Sequence, residues 1–157
     1  MLTIIDDGKP APAPVFQARI PVRWGDLDAD GHVNNTVFLR YVEEARMQWA
    51  QALSLAASAP GLTPVVANLA CEYLAPLHYP ATVIVSIACA HAGNSSLQLL
   101  FSLHVPADAA DLAPALHARA RITWVWLDAG TGRPHAMPES LRAACRAAAP
   151  SPPSSAD

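Results

Sequence analysis

The chain has 157 residues, a formal net charge of −3, 52% hydrophobic and only 15% charged residues, and a mean hydropathy of +0.21. The length fits one domain with a full core. Soluble domains usually carry roughly 25% charged residues, so part of this surface is expected to be buried against another subunit, with an Ala-rich composition as the plain alternative. The mild acidity, with no basic run and no interleaving of basic and aromatic residues, argues against a nucleic-acid partner.

The N-terminus, MLTIIDDGKPAP, lacks the basic region and long apolar core of a signal peptide. No window approaches the ~18 uninterrupted apolar residues of a membrane span. Residues 1–14 end in alternating Pro and Ala and are predicted to form an extended, weakly ordered arm. A single domain is expected over 15–147, followed by a disordered tail over 148–157 that ends PSPPSSAD. Phe16 to Arg23 alternates Phe16, Ala18, Ile20 and Val22 with polar residues. Pro21 suits the end of a strand or an edge strand.

The next stretch, Arg23 to Trp49, organises the chain. Its first half is a polar turn containing Asp26, Asp28, Asp30, Gly31, His32, Asn34 and Asn35. Its second half repeats Val33, Val37, Tyr41, Ala45 and Trp49 every four residues, and Phe38, Val42 and Leu53 widen the stripe, which predicts a long amphipathic helix. Arg40, Glu43, Glu44 and Gln48 take the other face, where Arg40 and Glu44 can pair at i,i+4. Asn34 or Asn35 serves as the N-cap. A carboxylate-rich turn therefore sits on a helix N-terminus, whose unpaired N–H groups and dipole favour a negative oxygen. That combination suits acyl transfer.

The helix is expected to fray before Pro60-Gly61, after which the period becomes two. Strands are predicted at about Val65–Leu74, Thr82–His91, Leu97–Val105 and Leu116–Asp128, with turns at Pro76 to Pro80, Gly93-Asn94, Pro106 to Pro114 and Gly130-Thr131-Gly132. Pro138 to Arg146 reads as a short helix. One strand, one long helix and four strands do not make a parallel α/β sheet. They suit an α+β fold in which an antiparallel sheet of about five strands wraps a long central helix.

The Arg23–Trp49 segment resembles the signature of hotdog-fold thioesterases of the 4-hydroxybenzoyl-CoA thioesterase type. It is also similar to the DLDxNxHVNN segment of plant acyl-carrier-protein thioesterases. The resemblance implies a hotdog fold, a homodimer or homotetramer with the site at the dimer interface, and hydrolysis of an acyl-CoA thioester. Coenzyme A is then part of the substrate, and neither a separate cofactor nor a metal is expected. The family's catalytic carboxylate falls on Asp28, and its carbonyl-polarising amide falls on the backbone N–H of Asn35. The plant enzymes have Asn where this chain has Asp30, so no Asn role is carried across. A non-catalytic acyl-CoA-binding module and a hotdog dehydratase or hydratase are the alternatives.

The remaining candidates come from residue chemistry. His32 is assigned to the site as a partner of the carboxylate, water or substrate, against a plain role in fixing the turn. Gly31 and Asn34 are expected to shape the substrate site, and Asp26 to bond loop amides. Tyr73, beside Glu72 at a strand end, is a candidate lining residue of the acyl pocket. Ser95 and Ser96 are candidate contacts to pantetheine or nucleotide, in a turn whose plain reading is a hairpin. Arg119, Arg121 and Arg133 could face the phosphates of coenzyme A or simply solvent. His78, His91, His104 and His117 recur every thirteen residues, but a meander should scatter them to alternating sheet ends, so no metal site is assigned. Cys71, Cys89 and Cys145 lie far apart and read as reduced thiols of a cytoplasmic protein, Cys71 and Cys89 as core packing rather than nucleophiles.

Overall fold

The computed structural model describes residues 12–106 and 114–147. Most of the predicted arm, the 148–157 tail and most of the turn between Pro106 and Pro114 lie outside the described residues. The elements run β1 (Pro14–Pro21), a 3-10 turn (Trp24–Asp26), α1 (Asn35–Ala52), α2 (Leu55–Ser58), β2 (Leu62–Tyr73), β3 (Thr82–Ala92), β4 (Ser96–Val105), β5 (Ala115–Asp128) and α3 (Glu139–Ala147). The five strands form one sheet in the order β1-β3-β4-β5-β2, antiparallel throughout. Sequence neighbours β1 and β2 thus lie at opposite edges, with a hairpin meander between them.

Alternation decides which side of each strand is buried. Val83, Val85 and Ile87 of β3, Leu97, Leu99, Phe101 and Leu103 of β4, and Ile122, Trp124 and Trp126 of β5 all turn inward. Ala118 and Ala120, also buried, keep the first half of β5 thin. The helix stripe meets them with Phe38, Tyr41, Val42, Ala45 and Trp49, so its four-residue repeat and the strands' two-residue repeat share one core. Truncating a residue such as Trp49 to Ala would cost about 3–5 kcal/mol. α1 packs against β1 and β3, and α3 against β3.

Several boundaries differ from expectation. β1 starts at Pro14 and β2 at Leu62, earlier than the alternation suggested. Both are edge strands, where Pro14, Pro21 and Pro64 can face away from the ladder without losing a bond. α1 ends at Ala52 because Ser54 adopts a left-handed backbone, φ 51°, which also starts the separate four-residue α2. On the solvated face Arg40 pairs with Glu43 at 3.2 Å rather than with Glu44, which accepts from Gln48.

The thiol expectation needs correction. Cys89 and Cys145 form a disulfide across 56 positions of sequence, leaving Cys71 as the free cysteine among the described residues. α3 brings Cys145 back onto the inner face of β3, a proximity absent from the spacing. The thiol argument for a reducing compartment falls with it. No helix among the described residues is long and apolar enough to cross a membrane.

Candidate active site

The polar turn folds as a small hairpin because its own backbone closes it. Leu27 and Val33 form an isolated bridge, Asp28 N–H donates to His32 O at 2.8 Å, and Gly31 N–H donates to Asp28 O at 3.1 Å. Gly31 sits at φ +75°, in the left-handed region that a side chain disfavours. Val33 N–H then bonds Leu77 O at 2.8 Å, fastening the motif to the loop between β2 and β3.

Asp26 is the hub beneath this turn. Its Oδ2 accepts from Arg23 N–H at 2.8 Å and from the Tyr41 hydroxyl at 2.7 Å, while its carbonyl accepts from Asn34 N–H at 2.9 Å. Burial and then the bond to Asp26 push the Tyr41 phenol well above its ordinary value, so it stays a donor. Asp26 holds the loop to the helix, as its structural reading implied.

Asn34, not Asn35, is the cap. Its Oδ1 accepts from Thr36 N–H at 2.9 Å, and its carbonyl accepts from Val37 N–H at 2.9 Å. Of the first three helical amides, only that of Asn35 meets no protein acceptor among the described residues. Asp28 is complementary. Its Oδ1 accepts from Asp30 N–H at 2.9 Å, and its other oxygen takes no hydrogen bond among the described residues. Both residues line one cleft of about 390 Å³, with His32, Phe38, Tyr73 and Leu74 to Pro76. A carboxylate oxygen with lone pairs to spare and a helix-terminal N–H without an acceptor can together take up a proton and stabilise a developing oxyanion.

Among the other candidates, His32 and Tyr73 line this cleft, whereas Gly31 and Asn34, expected at the substrate site, do not; they set the turn and cap the helix. Tyr73 packs edge-on against Phe38, ring centroids 5.4 Å apart, and its hydroxyl donates to Asn35 O at 2.9 Å. Ser95 and Ser96 are not brought there. Ser95 O accepts from Trp126 N–H, whereas Tyr73 lies opposite Ala118, so eight residues of β5, roughly 26 Å, separate them. Arg133 belongs to that far end too, where its carbonyl accepts from Asp128 N–H. Arg119 and Arg121 alternate with buried Ala118 and Ala120, which puts them on the sheet face away from α1. Arg119 stands opposite Glu72.

The histidines do not alternate as expected. His91 is next to last in β3, at the far end, but His104 and His117 share the cleft end of β4 and β5, because the longer connection between those strands delays the repeat. Among the described residues no group of three or more His, Cys, Asp or Glu could hold a metal. His78, weighed only as a ligand, instead packs edge-on against His32 at 4.9 Å. The Leu74–Pro76 wall was also missed. Pro76 announced a turn, but nothing local says which loop meets the motif.

Comparison with known proteins follows the same lines. The family model of the thioesterase-like superfamily matches residues 22–145. The PA2801 protein of Pseudomonas aeruginosa, provisionally assigned as a thioesterase, is 37% identical, with a TM-score of 0.75 over 83% of this chain and 98% of that one. A thioesterase from Thermus thermophilus, solved with coenzyme A and zinc, is 31% identical, with a TM-score of 0.71 over 89% and 98%. A 1,4-dihydroxy-2-naphthoyl-CoA thioesterase from Synechocystis shares the fold at 19% identity and a TM-score of 0.73, over 83% and 95%. YsmA of Bacillus subtilis, an uncharacterised protein, is 29% identical over 84 residues, and the match spans 54% of this chain and 57% of that relative.

Proposed function

This chain belongs to the thioesterase-like superfamily, and from that premise we propose that it hydrolyses an acyl-CoA thioester to free acid and coenzyme A. The observation that carries this reading is that Asp28 and Asn35 line one cleft, and that an Asp28 oxygen and the Asn35 N–H take no hydrogen bond among the described residues. The thioester carbonyl would lie with its oxygen toward Asn35 N–H, where the helix dipole favours the negative charge that grows as the carbonyl carbon becomes tetrahedral. Two routes remain from there. The Asp28 carboxylate adds to the carbonyl, expels the thiolate and leaves an acyl anhydride that water cleaves. Alternatively, Asp28 takes a proton from a water that adds directly, and that proton goes to the departing thiolate. Single turnover in ¹⁸O-water separates them, since only anhydride cleavage can place the label in the Asp28 carboxylate.

The test of the function is free-thiol release across aliphatic and aromatic acyl-CoAs, with acyl-carrier-protein thioesters as a second set. Asp28→Asn, nearly isosteric but a poor base and nucleophile, should remove that release. Tight acyl-CoA binding without thiol release by the native chain would favour a binding module instead. Hydration or dehydration of the acyl chain would favour a hotdog hydratase.

The assembly belongs to the same proposal. We read the sheet and α1 as a hotdog unit that pairs through β2. β1 buries Ala18 and Ile20 and carries prolines at both ends. β2 is a 12-residue edge with Val66 41% and Leu69 42% exposed. Both stand opposite inward-facing β5 residues, Trp124 and Ile122, on the sheet face that α1 covers elsewhere. A long, apolar, uncovered edge is a template for another strand, and two-fold pairing would continue the sheet and cover those residues. Light scattering should give a dimer or a dimer of dimers. A monodisperse, fully active monomer of 16.6 kDa would overturn the shared site.

A further inference from the structure

Tyr73 joins two parts of the molecule that the reaction above treats separately. It is the last residue of β2, the edge read as the pairing surface. Its hydroxyl reaches the first residue of α1, donating to Asn35 O at 2.9 Å. The peptide between Asn35 and Thr36 is therefore gripped at both ends, its carbonyl by Tyr73 and its N–H by Asn34 Oδ1 at 2.9 Å. The preceding peptide is gripped at its carbonyl, since Asn34 O accepts from Val37 N–H at 2.9 Å. Its N–H, that of Asn35, takes no acceptor among the described residues, and Asn35 lines the cleft. With these planes on either side of the Asn35 Cα held, the direction of that N–H is set before any substrate arrives. Burial and then the neighbouring Cys71 thiol push the Tyr73 phenol up to about 12, so the hydroxyl donates throughout the neutral range. Preorganised donors are what make oxyanion stabilisation effective, because they need no reorientation as charge develops.

We propose that Tyr73 is a positioning residue of the hydrolysis, its hydroxyl fixing the first peptide of α1 from the pairing edge and so aiming the Asn35 N–H. This rests on the reading of Asn35 as the oxyanion donor. It differs from a lining role, in which Tyr73 touches the acyl group and its loss weakens binding. It also makes the donor's alignment answer to the placement of β2, and hence to whatever pairs with that strand.

Tyr73→Phe keeps the ring against Phe38 and removes only the hydroxyl. On the acyl-CoA that the native chain hydrolyses fastest, kcat should fall about tenfold with KM within about twofold. That is less than the ~10²–10³ for deleting an oxyanion donor outright. Amide hydrogen exchange on the intact protein should quicken at Thr36 and Val37, the bonded amides of the helix start, and stay unchanged in β3 and β4. An unchanged kcat would overturn the proposal, as would a rise in KM at constant kcat, the signature of a lining role. Unchanged exchange at the helix start would overturn it as well. Asp28→Asn, run in parallel, keeps the two questions apart. If Asp28→Asn remains active, Asp28 is not the reacting carboxylate, and if the native chain releases no thiol the hydrolytic reading fails. In either case the exchange measurement still judges the Tyr73 tether.

Discussion

The two ends of the sheet are built from the same kinds of residue and do opposite things. One end carries the Asp26–Asn35 turn, the other the Gly93–Ser96 and Asp128–Gly132 turns with α3. At the far end backbone and side-chain hydrogen bonds close the turns. Asn94 O accepts from both Met137 N–H and Arg142, Ser95 O from Trp126 N–H, and Asp128 Oδ1 from the amide and hydroxyl of Thr131. The Cys89–Cys145 disulfide then ties α3 to the sheet. At the cleft end Asp26 closes a comparable network, yet the Asn35 amide and one Asp28 oxygen take no hydrogen bond among the described residues, and both residues line the same cleft. Density of polar residues does not mark a site. Nor does an unpaired polar atom by itself, since Trp126 Nε1 and Ser140 Oγ are buried without a partner among the described residues at the far end. What distinguishes the cleft end is an acceptor and a donor without partners on two residues that line one cleft.

That contrast can be broken by substitution, and the largest effect is expected at Asp28. Asp28→Asn should cut kcat by about 10²- to 10⁴-fold, the range for losing a general base, with an unchanged melting temperature. Activity within a few fold of the native chain would show that the unpaired oxygen is not the reacting one. The far end should answer in stability instead. Reducing the Cys89–Cys145 bond with a thiol reagent should cost about 2–4 kcal/mol in chemical denaturation, while activity of the folded protein stays put below the transition. A parallel loss of kcat would mean that the two ends are coupled.

Asp26→Ala tests the hub at the cleft end. It removes acceptors from Arg23 N–H and the Tyr41 hydroxyl, and should lower stability by about 2 kcal/mol, as for hydrogen bonds to a charged group. An Asp26→Ala protein that is fully stable yet inactive would identify Asp26 as the catalytic carboxylate in place of Asp28. The smallest effect belongs to Ser95→Ala and Ser96→Ala, which should each leave kcat and KM within about twofold, because that turn is far from the cleft within one chain. A large rise in KM would restore these serines to the coenzyme A site, reached across the subunit interface.

Local order was legible in the residues themselves. A four-residue apolar repeat ending near Trp49 can only bury its stripe as a helix, and Asn34 before it is a ready cap. Strict alternation from Leu97 to Val105 and from Ile122 to Trp126 can only bury one face as a strand. The Asp-rich turn on the helix start carried Asp28 and the Asn35 amide, since both lie within a few residues of the cap that orients them. Pairing over distance was decided by the tertiary structure. Periodicity states that a strand has an inner face but not which strand lies beside it, so β2 could not be recognised as the uncovered edge. Nor could Leu74 to Pro76 be seen as the cleft wall, or Ser95 and Ser96 as remote from it. Cys89 and Cys145 read as two distant thiols for the same reason, because only the return of α3 over β3 brings them together. Side-chain pattern is written residue by residue along the chain, whereas contacts between distant segments arise from how several such patterns pack at once.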